Sequence, residues 1–405
     1  MTLRGFSRFL FFTLLALAVF GAGGFYWLQQ SPYWAGITLF SESKRVENFR
    51  AMDEVFPYRT IAATGDVWTL ARDAQPLPET YMFDGEERNL AAFLDETMTT
   101  GLLVLQNGTI THESYHLGAG ETSQLTSWSM AKSIVSALIG IAVEEGHIAS
   151  LSDRVSAYVP NLEGTAYGAV SIEDVLTMSS GIGFNEDYDD PFSDVNQLFI
   201  SFATGAALDE TLAPYESVRE PGTYNDYISS DTIALGLVLE GATGETADAY
   251  LQSRLWGPIG AEADAFWNTG RAGSVLPMCC MNATLRDYAR FGRLFLENGA
   301  REGQQIVPID WVQASITPQG PHLQPGENPA SSWTFGYGYQ WWVPEESDGD
   351  YAAIGIWGQY IYVDPARDLV IVKTSVDEWF DDNDHESIAV FRAIARSLAI
   401  TGPAS

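Results

Sequence analysis

The apolar positions of this chain fall into blocks of different period. Phe9 to Leu28 is a run of twenty residues without a charge. As a helix it is about 30 Å long, the thickness of a bilayer core. Arg4 and Arg8 precede it, which by the positive-inside rule leaves the rest of the chain on the exported side, periplasmic or extracellular. The segment therefore reads as an uncleaved membrane anchor. A cleaved secretory signal is the competing reading, although Ala16-Leu17-Ala18, the small-x-small pattern, lies inside the apolar run. Residues 30–88 form an extension with Pro-rich spacing around Gln75-Pro76-Leu77-Pro78 and carry no chemistry that the sequence reveals.

From residue 89 the pattern becomes regular. Leu90 to Met98 has the spacing of a short amphipathic helix. Gly101–Leu105 and Thr109–Thr111 flank Gln106-Asn107-Gly108, a strong hairpin signal. Met130 to Glu145 is apolar at helical length. Ser171 caps a helix beginning at Ile172, and Asn282-Ala283-Thr284 precedes another from Leu285 to Asn298, closed by Gly299. Strand patterns return at Tyr337–Val343, Ala352–Gly355, Tyr360–Val363 and Leu369–Thr374, with Asp364–Asp368 as a turn, and Phe391 to Ile400 reads as a closing helix. The pattern predicts an α+β fold: a sheet built from both chain ends (about 89–128 and 330–405) with a mainly helical lobe inserted at about 129–329.

The net charge of −32 changes the picture in one respect. Nucleic acid and anionic lipid surfaces need clustered cations, and this chain offers neither a basic patch nor a basic stripe. The acidic run Asp381-Asp382-Asn383-Asp384 reads as a solvated loop. Cys279 and Cys280 are neighbours, with Cα atoms about 3.8 Å apart across a trans peptide, below the usual disulfide separation. Two reduced thiols are expected, and two cysteines alone make no zinc site.

Candidate chemistry begins at Ser129-Met130-Ala131-Lys132. Residues three apart share a helix face, so Lys132 sits one turn behind the Ser129 hydroxyl. A serine needs an adjacent base to act as a nucleophile, and a lysine becomes one when burial lowers its pKa. The chain has three lysines, Lys44, Lys132 and Lys373, and only Lys132 stands inside an apolar helix. A helix N-terminus also favours a developing oxyanion. No histidine stands in a Gly-x-Ser-x-Gly or His-Glu-x-x-His setting, so Ser-His-Asp and zinc chemistry lack support.

The segment Thr126-Ser127-Trp128-Ser129-Met130-Ala131-Lys132-Ser133-Ile134 resembles the serine-reactive penicillin-binding and class C β-lactamase superfamily. More narrowly it is similar to the branch that holds the 6-aminohexanoate-dimer (nylon-oligomer) hydrolases and related esterases, and the resemblance runs from about Leu102 to about Ser375. It implies the β-lactamase/transpeptidase-like fold with the active site between the lobes. Pro221-Gly222, Tyr227-Ile228-Ser229 and Leu235-Gly236 match the register of the second superfamily motif. This puts Tyr227 at the tyrosine position, as a phenol that can exist partly as phenolate beside the lysine and relay protons, with Ser229 replacing the common asparagine as a substrate-binding residue. Tyr224 is a rival in the same segment.

The third motif, Lys-Thr-Gly, is replaced by Gly355-Ile356-Trp357. The resemblance makes the N–H groups of Ser129 and Ile356 the oxyanion hole. It also implies that Tyr188 closes over the substrate, a surface loop tyrosine being the alternative. His385 is a candidate for the leaving-group side, and Trp357 and Trp342 are candidates for the walls of an apolar cleft, with a core position the alternative for each tryptophan. Lys373-Thr374-Ser375 lacks the glycine and sits on a later strand. Without the Lys-Thr-Gly cation, an uncharged ester or amide is a better substrate than a penicillin carboxylate. The expected protein is a serine esterase or amidase, acting on a small molecule through an acyl-enzyme on Ser129, with no cofactor or metal. The rivals are a penicillin-recognising β-lactamase or DD-peptidase, and an inactive cell-envelope binding protein on the same fold.

Overall fold

A computed structural model of the 405-residue chain describes residues 3–29 and 34–398. Its main sheet has eight strands. In spatial order they are Gly336–Tyr337, Trp342–Val343, Tyr351–Gly355, Gln359–Asp364, Leu369–Ser375, Thr99–Gln106, Thr109–Tyr115 and Ala71–Arg72. Neighbouring strands are antiparallel except at the last edge, where Ala71–Arg72 runs parallel to its partner. The sheet joins both chain ends at its centre, with Leu103 opposite Val372. A smaller four-stranded sheet combines Tyr58–Ile61, from the extension, with Ala265–Asn268, Met281–Ala283 and Leu125–Thr126.

Side chains alternate across the main sheet, as the two-residue strand period requires. Leu102, Val104, Leu369 and Ile371 pack on one face with Phe391 and Ile394 of the helix Phe380–Ser397. Leu103, Leu105, Val370 and Val372 pack on the other with Phe291 and Phe295 of the helix Leu285–Leu296. Both faces are covered, which explains why these strands read as continuous apolar runs. The helix Met130–Glu144 is buried around its whole circumference over its first thirteen residues, as expected of a helix apolar on all sides.

Several expectations are met closely. The hairpin turns at Asn107-Gly108 between Thr99–Gln106 and Thr109–Tyr115. Ser171 and Thr284 cap the helices that begin at Ile172 and Leu285, each accepting a backbone N–H. Others need correction. Tyr337–Val343 is not one strand, because Gln340 takes a left-handed φ of 62° and breaks it into Gly336–Tyr337 and Trp342–Val343. The acidic run 381–384 is not a loop. It forms the first turn of the closing helix, which spans Phe380–Ser397, and carboxylates are favoured there by the helix dipole. The last residues of the expected closing helix, Ala399 and Ile400, lie outside the described residues.

Cys279 and Cys280 are not free thiols. They form a disulfide between neighbours, with Cys280 in the left-handed region at φ 69°. The membrane span expected at Phe9–Leu28 is not supported. A helix runs from Leu3 to Gln29, but among the described residues no helix is long and apolar enough to cross a membrane. Its C-terminal third contains Gly21, Gly23 and Gly24 and ends near Tyr26 and Trp27, residues that dilute its apolar character.

Candidate active site

Ser129 stands at the N-terminus of the helix Met130–Glu144, at the floor of a cavity of about 300 Å³. Lys132, one turn on, is almost wholly buried at 1 % exposure. Its ammonium donates to Ser129 Oγ at 2.8 Å, to Ser229 Oγ at 3.1 Å and to the Met278 carbonyl at 3.1 Å. Burial lowers the Lys132 pKa to about 8, against the opposing pull of Glu186. A neutral amine beside the serine hydroxyl is therefore accessible near physiological pH.

Tyr227 lines the same cavity. Lys132 Nζ lies 4.9 Å from the centre of its ring, which also packs against Trp342 with centroids 5.2 Å apart. Burial first, and the Glu186 charge second, push the Tyr227 phenol well above its ordinary value, while nearby Ser129 pulls it down. These influences favour the neutral phenol, able to donate a proton, over the partial phenolate. Tyr224, its rival, packs under the Arg219 guanidinium at 4.2 Å and does not line the cavity.

The turn after strand Tyr351–Gly355 supplies the opposite wall. A Cβ on Gly355 would lie 2.9 Å from Ser129 N and 2.6 Å from the Ser127 carbonyl oxygen, so only glycine allows this strand to close on the nucleophile. Ile356 follows directly and lines the cavity with Ser129. Among the described residues neither the Ser129 nor the Ile356 N–H donates to a backbone carbonyl outside the regular helices and strands. Lys373 is buried and turned away from the cavity, donating to Ser375 Oγ at 2.6 Å.

The remaining expected residues divide. Tyr188 and Trp342 line the cavity. Ser229 does not face it. The hydroxyl is buried behind Lys132 and donates to Glu186 Oε1 at 2.5 Å, because it begins the helix Ser229–Thr243, whose first residues are buried. Trp357 does not wall the cleft either. With a left-handed φ of 63°, its ring packs on Phe40 and Phe49 and lies behind Phe380, which does line the cavity. His385 lies in an adjoining cavity with Thr334 and Asn328, its Nε2 3.0 Å from Thr334 Oγ1, and the two cavities share Ser332 and Trp333.

Sequence reasoning missed the cavity's carboxylates. Glu186 accepts from Tyr188 OH at 2.6 Å, from Ser229 N–H at 2.7 Å and from the Ser229 hydroxyl, so it stands one hydroxyl away from Lys132. Burial holds it above the usual carboxylate range, with Lys132 the main opposing influence. Asp226, Asp381 and Asp384 also line the space. Burial raises Asp384 to about 7, and burial with neighbouring Asp189, Asp382 and Asp187 raises Asp381 to about 6. Among the described residues lining the cavity there is no Lys, Arg or His. One carboxylate among 53 acidic residues carries no signal by itself. The signal available was Glu186 two residues before Tyr188, a position already singled out.

The chain is similar to known proteins over most of its length. The β-lactamase family model matches residues 87–390. The chain is 31 % identical over 289 residues to a 6-aminohexanoate-dimer hydrolase of Paenarthrobacter ureafaciens, covering 70 % of this chain and 74 % of the relative. A Bacillus anthracis structure, provisionally described as a 6-aminohexanoate-dimer hydrolase, superposes with a TM-score of 0.78 at 23 % identity, over 87 % of this chain and 96 % of that one. EstCE1, described as a hydrolase with promiscuous acyltransferase activity, superposes with a TM-score of 0.60 at 16 % identity, over 75 % and 96 %. The chain belongs to the β-lactamase family, and within it is a serine hydrolase of the kind to which the 6-aminohexanoate-dimer hydrolases belong.

Proposed function

We propose that the protein hydrolyses an uncharged ester or amide through an acyl-enzyme on Ser129. The observation that carries this is the 2.8 Å hydrogen bond between Lys132 Nζ and Ser129 Oγ at the floor of the cavity. Lys132 in its neutral form takes the hydroxyl proton as Ser129 Oγ attacks the carbonyl carbon. The N–H groups of Ser129 and Ile356 receive the oxyanion, a service worth several kcal/mol of barrier. Tyr227, a neutral phenol between nucleophile and open cavity, hands a proton to the departing alcohol or amine and is reprotonated through Lys132. Water then attacks the ester formed on Ser129, with Lys132 again accepting the proton; the acyl carbon–Oγ bond breaks, the acid leaves, and Lys132 returns the proton to Ser129 Oγ, 2.8 Å away.

The cavity's charge supports the substrate class. Glu186, Asp226, Asp381 and Asp384 face a site that offers no cation at its lining, and a partly buried anion without a partner is costly. A penicillin carboxylate is poorly served here, while a neutral acyl group meets Trp333, Trp342, Ile354 and Phe380. An inactive binding protein would have no use for a lysine held in a buried pair with a serine. The test is a fluorophosphonate probe, which should label Ser129. Labelling elsewhere, or labelling that survives Ser129→Ala, overturns the reading. For location, we propose export of the catalytic part, supported by Arg4 and Arg8 ahead of the uncharged run Phe9–Leu28 and by the oxidised Cys279–Cys280 pair. A C-terminal alkaline phosphatase fusion that stays inactive in a bacterial host would refute it.

A further inference from the structure

The extension carries no chemistry in sequence, yet it touches both halves of the oxyanion hole. Trp128 directly precedes Ser129, and Trp357 directly follows Ile356. Both tryptophans are in the left-handed region, at φ 40° and 63°. For a bulky residue this conformation persists only where the surroundings impose it. The surroundings here include two phenylalanines of the extension, besides Phe380 of the cavity lining, whose ring centre lies 6.2 Å from that of Trp357. Phe40 stacks on Trp357, with centroids 5.6 Å apart and planes 8° from parallel, and meets Trp128 at 5.5 Å. Phe49 meets Trp128 at 5.1 Å and Trp357 at 5.6 Å, edge to face in both cases. Arg45, paired with Glu378 at 3.0 Å, places its guanidinium 5.2 Å from the Trp357 ring centre.

These contacts join segments distant in sequence. The two donors come from opposite ends of the catalytic region and meet directly through Gly355 and the Ser127–Ser129 backbone. The phenylalanines form a second tie, and it acts on the residue next to each donor. The β-lactamase match begins at residue 87, so this tie comes from chain ahead of the matched region. It is fastened there independently: Asn48 Nδ2 donates to the Thr38 and Leu39 carbonyls, and Asn268 Nδ2 donates to the Met52 carbonyl.

We propose that Phe40 and Phe49 are positioning residues that hold Trp128 and Trp357 in the left-handed conformation and so aim the Ser129 and Ile356 N–H groups at the substrate carbonyl. The inference rests on the oxyanion-hole reading given above. A hole stabilises a transition state because its donors are fixed before the charge develops. Removing a ring frees a tryptophan to return to ordinary backbone, and the N–H beside it rotates off target. Phe40 and Phe49 do not themselves line the apolar cavity, so the loss falls mainly on kcat.

The test uses the full chain and four variants: Phe40→Ala, Phe40→Leu, Phe40→Tyr and Phe49→Ala. Active enzyme is counted by fluorophosphonate titration of Ser129, below each variant's melting temperature. Then kcat and KM are measured on a short p-nitrophenyl ester, and affinity is measured for a trifluoromethyl ketone that forms a tetrahedral adduct. Phe40→Ala and Phe49→Ala should lower kcat about 10- to 100-fold with KM within about twofold, a part of the loss seen when an oxyanion donor is deleted outright. Ketone affinity should fall by a similar factor, and Phe40→Tyr should restore both to within about twofold of wild type. A titratable, folded Phe40→Ala with wild-type kcat overturns the proposal, as does a loss equally large in Phe40→Tyr. If the alanine variants do not fold, Phe40→Leu is judged by the same criteria. Wild-type protein labelled away from Ser129 is a different result: it removes the nucleophile assignment, and this proposal with it.

Discussion

Glu186→Gln offers the sharpest test of how Lys132 becomes a base. Two hydrogen bonds through the Ser229 hydroxyl separate the ammonium from the Glu186 carboxylate. That is on the order of 5 Å, and at an effective dielectric of about 20 two unit charges so placed interact by about 3 kcal/mol, or roughly two pK units. The carboxylate stabilises the charged lysine, so it works against the burial that brings Lys132 down to about 8. Tyr227, Tyr188, Tyr215 and Asp231 also feel the Glu186 charge, and burial raises the pKa of each, favouring the neutral forms.

The sign follows directly. Neutral Lys132 is the active form, so kcat/KM rises with pH through the lysine pKa. Glutamine keeps an oxygen for Ser229 and removes the charge, which lowers that pKa. The midpoint of the rising limb, near 8 in the wild type, should move down by about one to two units in Glu186→Gln. The assay is a pH–rate profile on a short p-nitrophenyl ester across about pH 5 to 9.5, read at the isosbestic wavelength. A midpoint that stays in place, or moves upward, refutes the argument that this carboxylate sets the basicity of Lys132. Ser229→Ala, which keeps the charge, should show the smaller shift of the two.

Further predictions follow the same geometry. Lys132→Ala and Tyr227→Phe should each reduce ester hydrolysis by about two orders of magnitude or more, the scale of lost proton-transfer catalysis; unchanged activity in Tyr227→Phe removes it from the mechanism. Gly355→Ala places a Cβ 2.9 Å from Ser129 N, so the wall must retreat and kcat should drop by about 100-fold or more, measured on protein with native circular dichroism. Nitrocefin turnover should be very weak beside that of short acyl esters, because no cation lines the cavity; comparable rates would restore the penicillin-enzyme reading.

Much of the arrangement was legible because it is written locally. The Ser-x-x-Lys spacing, the all-apolar helix behind it and the strands read from apolar runs depend on neighbours a few residues apart. What was not legible depends on position in space. Ser229 was placed at the substrate because its motif register put it near Tyr227, but a helix start buries its hydroxyl behind Lys132. Trp357 reads as a cleft wall until its left-handed backbone turns it onto Phe40. The acidic run at 381–384 has the composition of a solvated loop, and its place over the cavity is decided by the sheet beneath it. Glu186 was invisible because a buried carboxylate becomes distinctive only through partners from other segments.

The strands that meet at the centre of the main sheet, Thr99–Gln106 and Leu369–Ser375, also set when the enzyme can exist. Pairing across so long a separation in sequence is a slow, non-local step in folding. The wall that carries Gly355 and Ile356 sits one strand beyond that pairing, since Tyr351–Gly355 is held by Gln359–Asp364, which is held in turn by Leu369–Ser375. A chain still emerging from the ribosome can present Ser129 and Lys132 on their helix, but it has no second oxyanion donor until its final strands have entered the sheet. On this reading hydrolytic activity is tied to completed synthesis, and any C-terminal truncation that removes Leu369–Ser375 takes Phe380, Asp381 and Asp384 from the cavity lining together with the strand that holds the wall of Gly355 and Ile356 in place.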